Sequence, residues 1–335
     1  MKRVAIVLLN WNGVTDTLEC LDSLRNQTYK DHTIVVIDNG STDNSVELLK
    51  KYQKEHVKNV EVIYNPKNLG FTGGVNTGIE WALKDNYDYV ALINNDTIAD
   101  KNWLKNLVDS AKPKDIGICT GLLLHSDGKT IDSSGDWYST WGLPFPRNRN
   151  DKTTQAPKSE FVFSASGGAS LYKTEMLHQI GLFDDDFFAY YEDVDISFRT
   201  QLAGWKVAYN SKAIAYHKQG ATSKKLPGFA VYQTFKNLPL LFIKNVPRGL
   251  LFSVGIRFKV AYILMFFNAI AKGNGGPAIK GACKGFVLFF KKLGERRAIQ
   301  KNKRVTTKYI KDMMWNDLPP DQTGLRKLRK FVGGK

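Results

Sequence analysis

Cysteine is scarce in this sequence. Cys20, Cys119 and Cys283 stand far apart in 335 residues with no CxxC pair, which excludes a disulfide framework or a cysteine zinc site and favours a reducing compartment. No unbroken apolar run reaches the ~20 residues that span a bilayer. The stretch 250–271 is long enough, but Arg257 and Lys259 interrupt it, each costing about 2.5–3.5 kcal/mol at a helix centre. The apolar run 4–9 is too short for a signal peptide and ends in Asn10-Trp11-Asn12-Gly13, a first strand entering a turn. Neither GxGxxG nor the P-loop consensus occurs, so the usual dehydrogenase and P-loop phosphate sites are unsupported. Acidic residues are lacking in one region only. Residues 221–335 hold 24 Lys+Arg against 4 Asp+Glu, whereas residues 1–220 hold 24 against 28. The formal charge of +16 therefore belongs to the C-terminal third, which calls for a polyanionic partner. No RRM, KH or helix-turn-helix pattern accompanies it, and apolar runs at 238–243, 260–270 and 286–290 would be wasted on nucleic acid. An anionic membrane surface, met by helices lying in the interface, fits better.

What is present is an alternation. Short β-branched runs at 4–9, 33–37, 60–64 and 89–93 are separated by helical patterns at 15–25, 44–52 and 74–83, with a helix at 103–110 and a strand at 116–124 beyond. Such alternation predicts an α/β fold with a mostly parallel sheet, whose ligands sit beyond the carboxyl ends of the strands. Residues 126–160 are rich in turn residues and prolines and read as a mobile loop or small excursion over a site. Strands at 161–163 and 205–209 and helices from Thr174 and over 192–203 follow. The composition shift after Gly220 divides the chain into residues 1–222, an α/β catalytic domain, residues 223–300, an amphipathic helical membrane-associating region, and residues 301–335, a basic polar tail.

Polar clusters stand at the predicted strand ends. Asp38, in Asp38-Asn39-Gly40-Ser41-Thr42-Asp43, could accept the imide N–H of uracil or thymine, or the segment could be a capped turn with no ligand. The run from Asn68 through Gly70, Gly73 and Gly74 to Asn76 lets the backbone approach a phosphate or ribose at a helix start. Asn94-Asn95-Asp96 ends a buried strand; it is either an Asx-rich turn or a place for Asp96 to hold a divalent cation such as Mg2+ or Mn2+. Glu192, Asp193 and Asp195 crowd one helix start, where the macrodipole favours one or two acids. The remainder of the pattern, Tyr190 and Tyr191 before them, Arg199 one turn on and His217 past the next strand, is unexplained by capping.

Together, Leu8-Leu9-Asn10-Trp11-Asn12, the Asp38 segment, Asn68-Leu69-Gly70-Phe71, Asn94-Asn95-Asp96-Thr97 and Gly181-Leu182-Phe183-Asp184 leading to Tyr191-Glu192-Asp193-Val194-Asp195 resemble the inverting glycosyltransferases of family 2, near rhamnosyltransferase-like members of bacteria and archaea. The resemblance implies a GT-A fold, Leu9 and Trp11 framing the nucleotide base, and Asp38 hydrogen-bonding it. It implies Asp96 and His217 on the metal and Asp193 as catalytic base. Asn94 stands where the family usually has the first Asp of its DxD motif. Asn68, Asn76, Asn94, Asn95 and Gly168 would complete the nucleotide-sugar site, with Gly167-Gly168 as its floor. Glu192 and Asp195 would raise the basicity of Asp193, and Arg199 would limit that effect. The implied donor is a nucleoside diphosphate sugar, dTDP-rhamnose ahead of a UDP-hexose or UDP-N-acetylhexosamine. The implied acceptor is a glycan or polyprenyl-linked sugar, used in cell-surface polysaccharide or glycoprotein glycan synthesis at the cytoplasmic membrane face. A sugar nucleotidyltransferase and a catalytically dead membrane scaffold are the alternatives.

Overall fold

A computed structural model describes residues 2–56, 59–218, 226–320 and 322. In chain order it contains β1 (Val4–Asn10), α1 (Val14–Arg25), β2 (His32–Asp38), α2 (Ser45–Glu55), β3 (Val60–Tyr64), α3 (Gly70–Lys84), β4 (Tyr89–Asn94), β5 (Thr97–Ala99), α4 (Trp103–Ser110) and β6 (Ile116–His125). There follow β7 (Ile131–Ser133), β8 (Asp136–Tyr138), β9 (Pro144–Pro146), β10 (Glu160–Phe161), β11 (Ala169–Lys173), α5 (Thr174–Ile180), α6 (Glu192–Leu202) and β12 (Lys206–His217). The C-terminal helices are α7 (Phe229–Asn245), α8 (Leu251–Ala271), α9 (Gly275–Lys301) and α10 (Thr307–Met313).

The main sheet runs β10-β12-β6-β11-β4-β1-β2-β3. β1 pairs in parallel with β2 and β4, and β2 with β3. Because strands alternate faces, Val4, Ile6 and Leu8 enter one apolar layer while Ala5 and Val7 enter the other. Helices cover both layers, so β1, β2 and β4 are buried on both faces and almost wholly apolar, while the edge strand β3 exposes Glu61 and Tyr64. β11 enters antiparallel between β4 and β6. That reversal sets the carboxyl ends of β1 and β4 beside Gly167 and Gly168, the lead-in to β11, and opens a crevice between them.

One expectation is narrowed and another corrected. Residues 126–160 are the small excursion over a cleft, one of the two expected alternatives, and not the loose loop: they form β7 and the β8–β9 hairpin, and bury Asp132, Asp136, Tyr138, Ser139 and Arg147. Aromatic packing fixes them, with the Tyr138 ring 5.5 Å from Phe163 and 5.3 Å from Phe198. Nor are residues after 300 simply a polar tail. α10 buries Ile310, and Trp315 N–H donates to the Tyr138 carbonyl at 3.0 Å. The Trp315 ring packs on Trp137 and Phe145. The expected boundary at 222/223 and the end of the chain after 322 lie outside the described residues.

α7 packs into the α/β unit rather than lying wholly on the surface. Leu240 and Leu241 share a core with Phe187, Val194 and Phe198. α9 crosses α7 closely because it presents glycine there: a Cβ on Gly281 or Gly285 would strike the carbonyl oxygens of Tyr232 and Lys236. The outer faces are apolar and open. Phe252, Ile256, Val260, Ile263, Phe267 and Ile270 recur every three or four residues along α8, and Phe286, Val287 and Phe290 continue the surface on α9. Among the described residues, Arg248–Ala271 is the one helix long and apolar enough to cross a membrane by length and composition.

Candidate active site

A cleft of about 770 Å³ opens where β11 reverses the sheet. Leu9, Trp11, Asn39 and Asn68 line one end; Asn94, Asn95, Asp96, Gly168, Glu192, Asp193 and His217 line the rest. Residues separated by two hundred positions are thus brought to one wall. Asn39 ties these residues together: its amide donates to Asn68 Oδ1 at 3.1 Å and to the Gly70 carbonyl at 3.0 Å.

Asp193 sits in the first turn of α6. Its Oδ2 accepts from Gly167 N–H at 2.9 Å and its Oδ1 from Val194 N–H at 2.8 Å. A Cβ at Gly167 would lie 3.2 Å from the Asp193 Cβ and carboxylate oxygen, a contact tight enough that Asp193 would have to shift by a few tenths of an ångström. Burial pushes the Asp193 carboxyl up, and the two backbone amides partly offset this. Glu192 is pushed up to about 8 by burial and then by the charge of Asp193. Asp136, from β8, is raised by the same two causes and accepts from Ser133 Oγ at 3.2 Å. Three carboxyls thus compete for charge in one cleft, a setting suited to taking up a proton near neutral pH.

Across the cleft, the tight turn between β4 and β5 presents Asp96. β12 runs on to His217, three residues past the irregularity that ends at Ile214, and pairs with β5 so that His217 faces Thr97. His217 Nε2 lies 3.0 Å from Asp96 Oδ1, and Nδ1 lies 2.7 Å from Asp132 Oδ2. Burial opposes charge on this imidazole, but the two carboxylates raise it to about 9. Arg149 then closes the chain on Asp132 at 2.8 Å. A histidine whose Nδ1–H is given to a carboxylate is the arrangement that turns Nε2 toward a cation. Asp96 and His217 therefore fit a divalent ion such as Mg2+ or Mn2+, with oxygen and imidazole donors and few protein ligands. A second acidic group, Asp184, Asp186 and Glu295, has ligand atoms within 4.8 Å of one another. The Lys292 ammonium already sits among them, 2.6–2.7 Å from each. We read that group as an ion-pair cluster.

Several expected site residues are placed elsewhere. Asp195 is fully buried on the far side of α6, where it accepts from Arg199 Nε (2.9 Å), Lys244 Nζ (3.0 Å) and Asn245 Nδ2 (2.8 Å). Arg199 donates onward to the Ile180 and Leu182 carbonyls, both at 2.8 Å. Neither residue lines the cleft, so the like-charge neighbours of Asp193 are Glu192 and Asp136 instead. Asn76 donates to the Phe183 carbonyl at 2.8 Å and to Asp185 Oδ1 at 2.9 Å, tying α3 to the segment before α6 rather than facing the cleft. Asp38 also lies beneath the lining, with its carboxylate on Asn10 Nδ2 at 2.8 Å and Ser41 N–H at 3.1 Å. Asn95 reaches the cleft, but its amide is given to Thr17 Oγ1 at 3.1 Å. Sequence reasoning passed over Asn39, Asp132, Asp136 and Arg149; the signal available for the acids was their spacing of four in an otherwise apolar and small-residue stretch.

The chain resembles known proteins in sequence and in fold. The family model described as "Glycosyl transferase family 2" matches residues 5–181, which ends short of Asp193 and His217. A poly-beta-1,6-N-acetyl-D-glucosamine synthase of Staphylococcus epidermidis is 23% identical over 218 residues, covering 64% of this chain and 50% of that protein. A low-salt glycan biosynthesis hexosyltransferase of Haloferax volcanii is 23% identical over 258 residues, covering 74% and 79%. The chain thus spans about half the length of the Staphylococcus relative and most of the Haloferax one. Among solved structures, a mannosyltransferase from Pyrobaculum calidifontis, in complex with GDP-Man and Mn2+, superposes with a TM-score of 0.56 at 14% identity over 90% of this chain and 85% of its own.

Proposed function

The chain belongs to glycosyl transferase family 2 and has the GT-A fold, and from that premise we propose that it moves a sugar from a nucleoside diphosphate sugar to an acceptor hydroxyl with inversion. The observation that carries the reading is Asp193, clamped by two backbone amides on the same cleft as Asp96 and His217. Asp193 takes the proton of the acceptor hydroxyl while that oxygen bonds to the anomeric carbon and the bond to the β-phosphate oxygen breaks. Leu9, Trp11, Asn39 and Asn68 bind the nucleotide, and Gly168 leaves room for the sugar. Asp96 and His217 would hold a divalent cation, which when bound neutralises the charge developing on the leaving diphosphate. A Mn2+ complex of the Pyrobaculum enzyme supports this assignment by analogy of fold.

The first donor to test is dTDP-rhamnose, ahead of UDP-hexoses, UDP-N-acetylhexosamines and GDP-hexoses, the last group added by the mannosyltransferase likeness. Binding of each nucleotide sugar is measured by calorimetry with Mn2+, with Mg2+ and with chelator. One donor should bind at least about tenfold more tightly with metal than without. Affinities unmoved by chelator for every donor would reject the metal site, and no binding of any donor would reject the reading. The named relatives support an acceptor in polysaccharide or glycan synthesis.

We place the protein peripherally on the cytoplasmic membrane face. The open stripes on α8 and α9 carry exposed Arg257, Lys259, Lys280, Lys284 and Lys291 around them, the combination that binds an anionic interface. Full-length protein should float with vesicles containing phosphatidylglycerol and be released when Phe252, Ile256 and Phe267 are changed to Ser. Equal flotation of that variant would sink the assignment of this surface.

A further inference from the structure

We infer that α7 is a working part of the catalytic centre, with Asn237 as the positioning residue that holds the turn over residues 187–191, and through it Asp193, in the acting conformation. The inference rests on the transfer reaction proposed for this cleft.

The turn is strained. Phe188 has φ 62°, and Tyr190 and Tyr191 each have φ 71°. All three are bulky aromatic residues in a region that favours glycine. Such a conformation persists only where surrounding groups over-determine it. Tyr191 is the residue on which α6 begins, and its carbonyl accepts from Asp195 N–H at 3.0 Å. Any relaxation of the turn therefore rotates the first turn of α6, where Glu192 and Asp193 stand. Phe188, Ala189, Tyr190 and Tyr191 also line the cleft themselves.

α7 supplies the restraint. Asn237 is fully buried, and its Nδ2 lies 3.0, 2.8 and 2.8 Å from the carbonyl oxygens of Phe187, Ala189 and Tyr190. The ammonium of Lys236, also buried, donates to the Asp186 and Phe187 carbonyls at 2.9 and 3.0 Å. The Phe229 ring packs on those of Phe188 and Tyr190. Asn237 Oδ1 has no hydrogen-bond partner among the described residues, so the amide is held there by its donors, and an apolar side chain would leave the turn's carbonyls without them. α7 is itself fixed from behind. Pro239 cannot donate to the Phe235 carbonyl, which instead accepts from Tyr262 Oη of α8 at 2.8 Å, and Gly285 of α9 lies against the Lys236 backbone.

The test uses the full chain with Asn237→Ala, Asn237→Asp and Lys236→Met. For Asn237→Ala, kcat is expected to fall at least about 30-fold, as misplaced catalytic groups do, while KM for the nucleotide sugar stays within about threefold. Amide exchange over residues 189–194 should speed at least about tenfold with β1 and α9 unchanged. Asn237→Asp should lose more, because a carboxylate then faces three carbonyls. A kcat within threefold of wild type, or exchange that rises evenly along the chain, would overturn the inference. Should Asn237→Ala not fold, Lys236→Met is read by the same two measurements and the same criteria. If the wild type turns over no nucleotide sugar, the proposed reaction fails, and exchange alone decides: unchanged exchange over 189–194 refutes the clamp.

Discussion

Asparagine in place of Asp193 lowers transfer by about 10²–10⁴-fold, the usual range for loss of a positioned base, with the nucleotide sugar still bound. The loss is chemical because Asn cannot take the acceptor proton. It also has a local structural part. The carboxylate accepts from two backbone amides, Gly167 and Val194; an amide side chain can satisfy only one through its oxygen and sets a donor against the other. Donor affinity is the control, since Leu9, Trp11, Asn39 and Asn68, proposed to bind the nucleotide, are unchanged in this variant. The measurement is kcat in saturating donor and acceptor, beside calorimetric donor binding. The charge of Asp193 helps push up the carboxyls of Glu192 and Asp136. Its removal should let both titrate nearer the ordinary carboxylate range. Wild-type turnover in Asp193→Asn rejects the base; turnover that survives there and vanishes in Asp136→Asn moves the role to Asp136.

The sheet was legible because its strands obey one simple constraint. Buried on both faces, the strands at 4–9, 33–37 and 89–93 are almost wholly apolar, and polar residues cluster where they stop. That alone led to Asn94, Asn95 and Asp96. The cleft wall built from 126–160 was not legible, since β7, β8 and β9 are three-residue strands held by Tyr138, Phe163 and Phe198. Tertiary aromatic packing orders them, and no local periodicity announces it. The carboxylate cluster was legible in part and misread in part. Helical geometry turns about 100° per residue, so Asp195 faces nearly opposite to Asp193, and Arg199, four residues on, shares the Asp195 side. The cluster is two sites on two faces of α6, one open to the cleft and one facing α7. Asn76 was misassigned for a similar reason: it stands on the buried face of α3, not at its open start.

That second face explains where part of the basic charge goes. The catalytic portion is net acidic and the C-terminal third strongly basic; Lys236, Lys244 and Lys292 are buried between them. Lys244 reaches Asp184 Oδ2 at 2.6 Å and Asp195 Oδ2 at 3.0 Å, and Lys292 reaches Asp184 Oδ2 at 2.6 Å. α7 is thus ion-paired to the helix that carries Asp193, and α9, which carries part of the open apolar surface, to the Asp184 segment that precedes it. Removing Lys244 leaves the buried Asp195 with Arg199 and Asn245, and Asp184 with Lys292, each short of one cation. Lys244→Met should destabilise the protein by about 1.5–3 kcal/mol, the usual loss for a hydrogen bond to a charged group, read as a fall in denaturation midpoint at neutral pH. Adding Asp195→Asn should recover at least about half of that loss, because a neutral pair no longer needs the cation. Failure of the double variant to recover would mean that the packing of the Lys244 stem, not its charge, holds the junction. The acid limb supplies an independent check. Burial opposes ionisation of Asp184 and Asp195, but Lys244 with Lys292 or Arg199 holds both carboxyls below the ordinary range. A depressed folded-state value contributes stability above the unfolded carboxylate pKa of about 3.9 and loses it as pH falls below. Wild-type protein should therefore lose stability steeply below about pH 4, and Lys244→Met, whose aspartates gain less from ionising in the fold, should show a shallower slope over the same range.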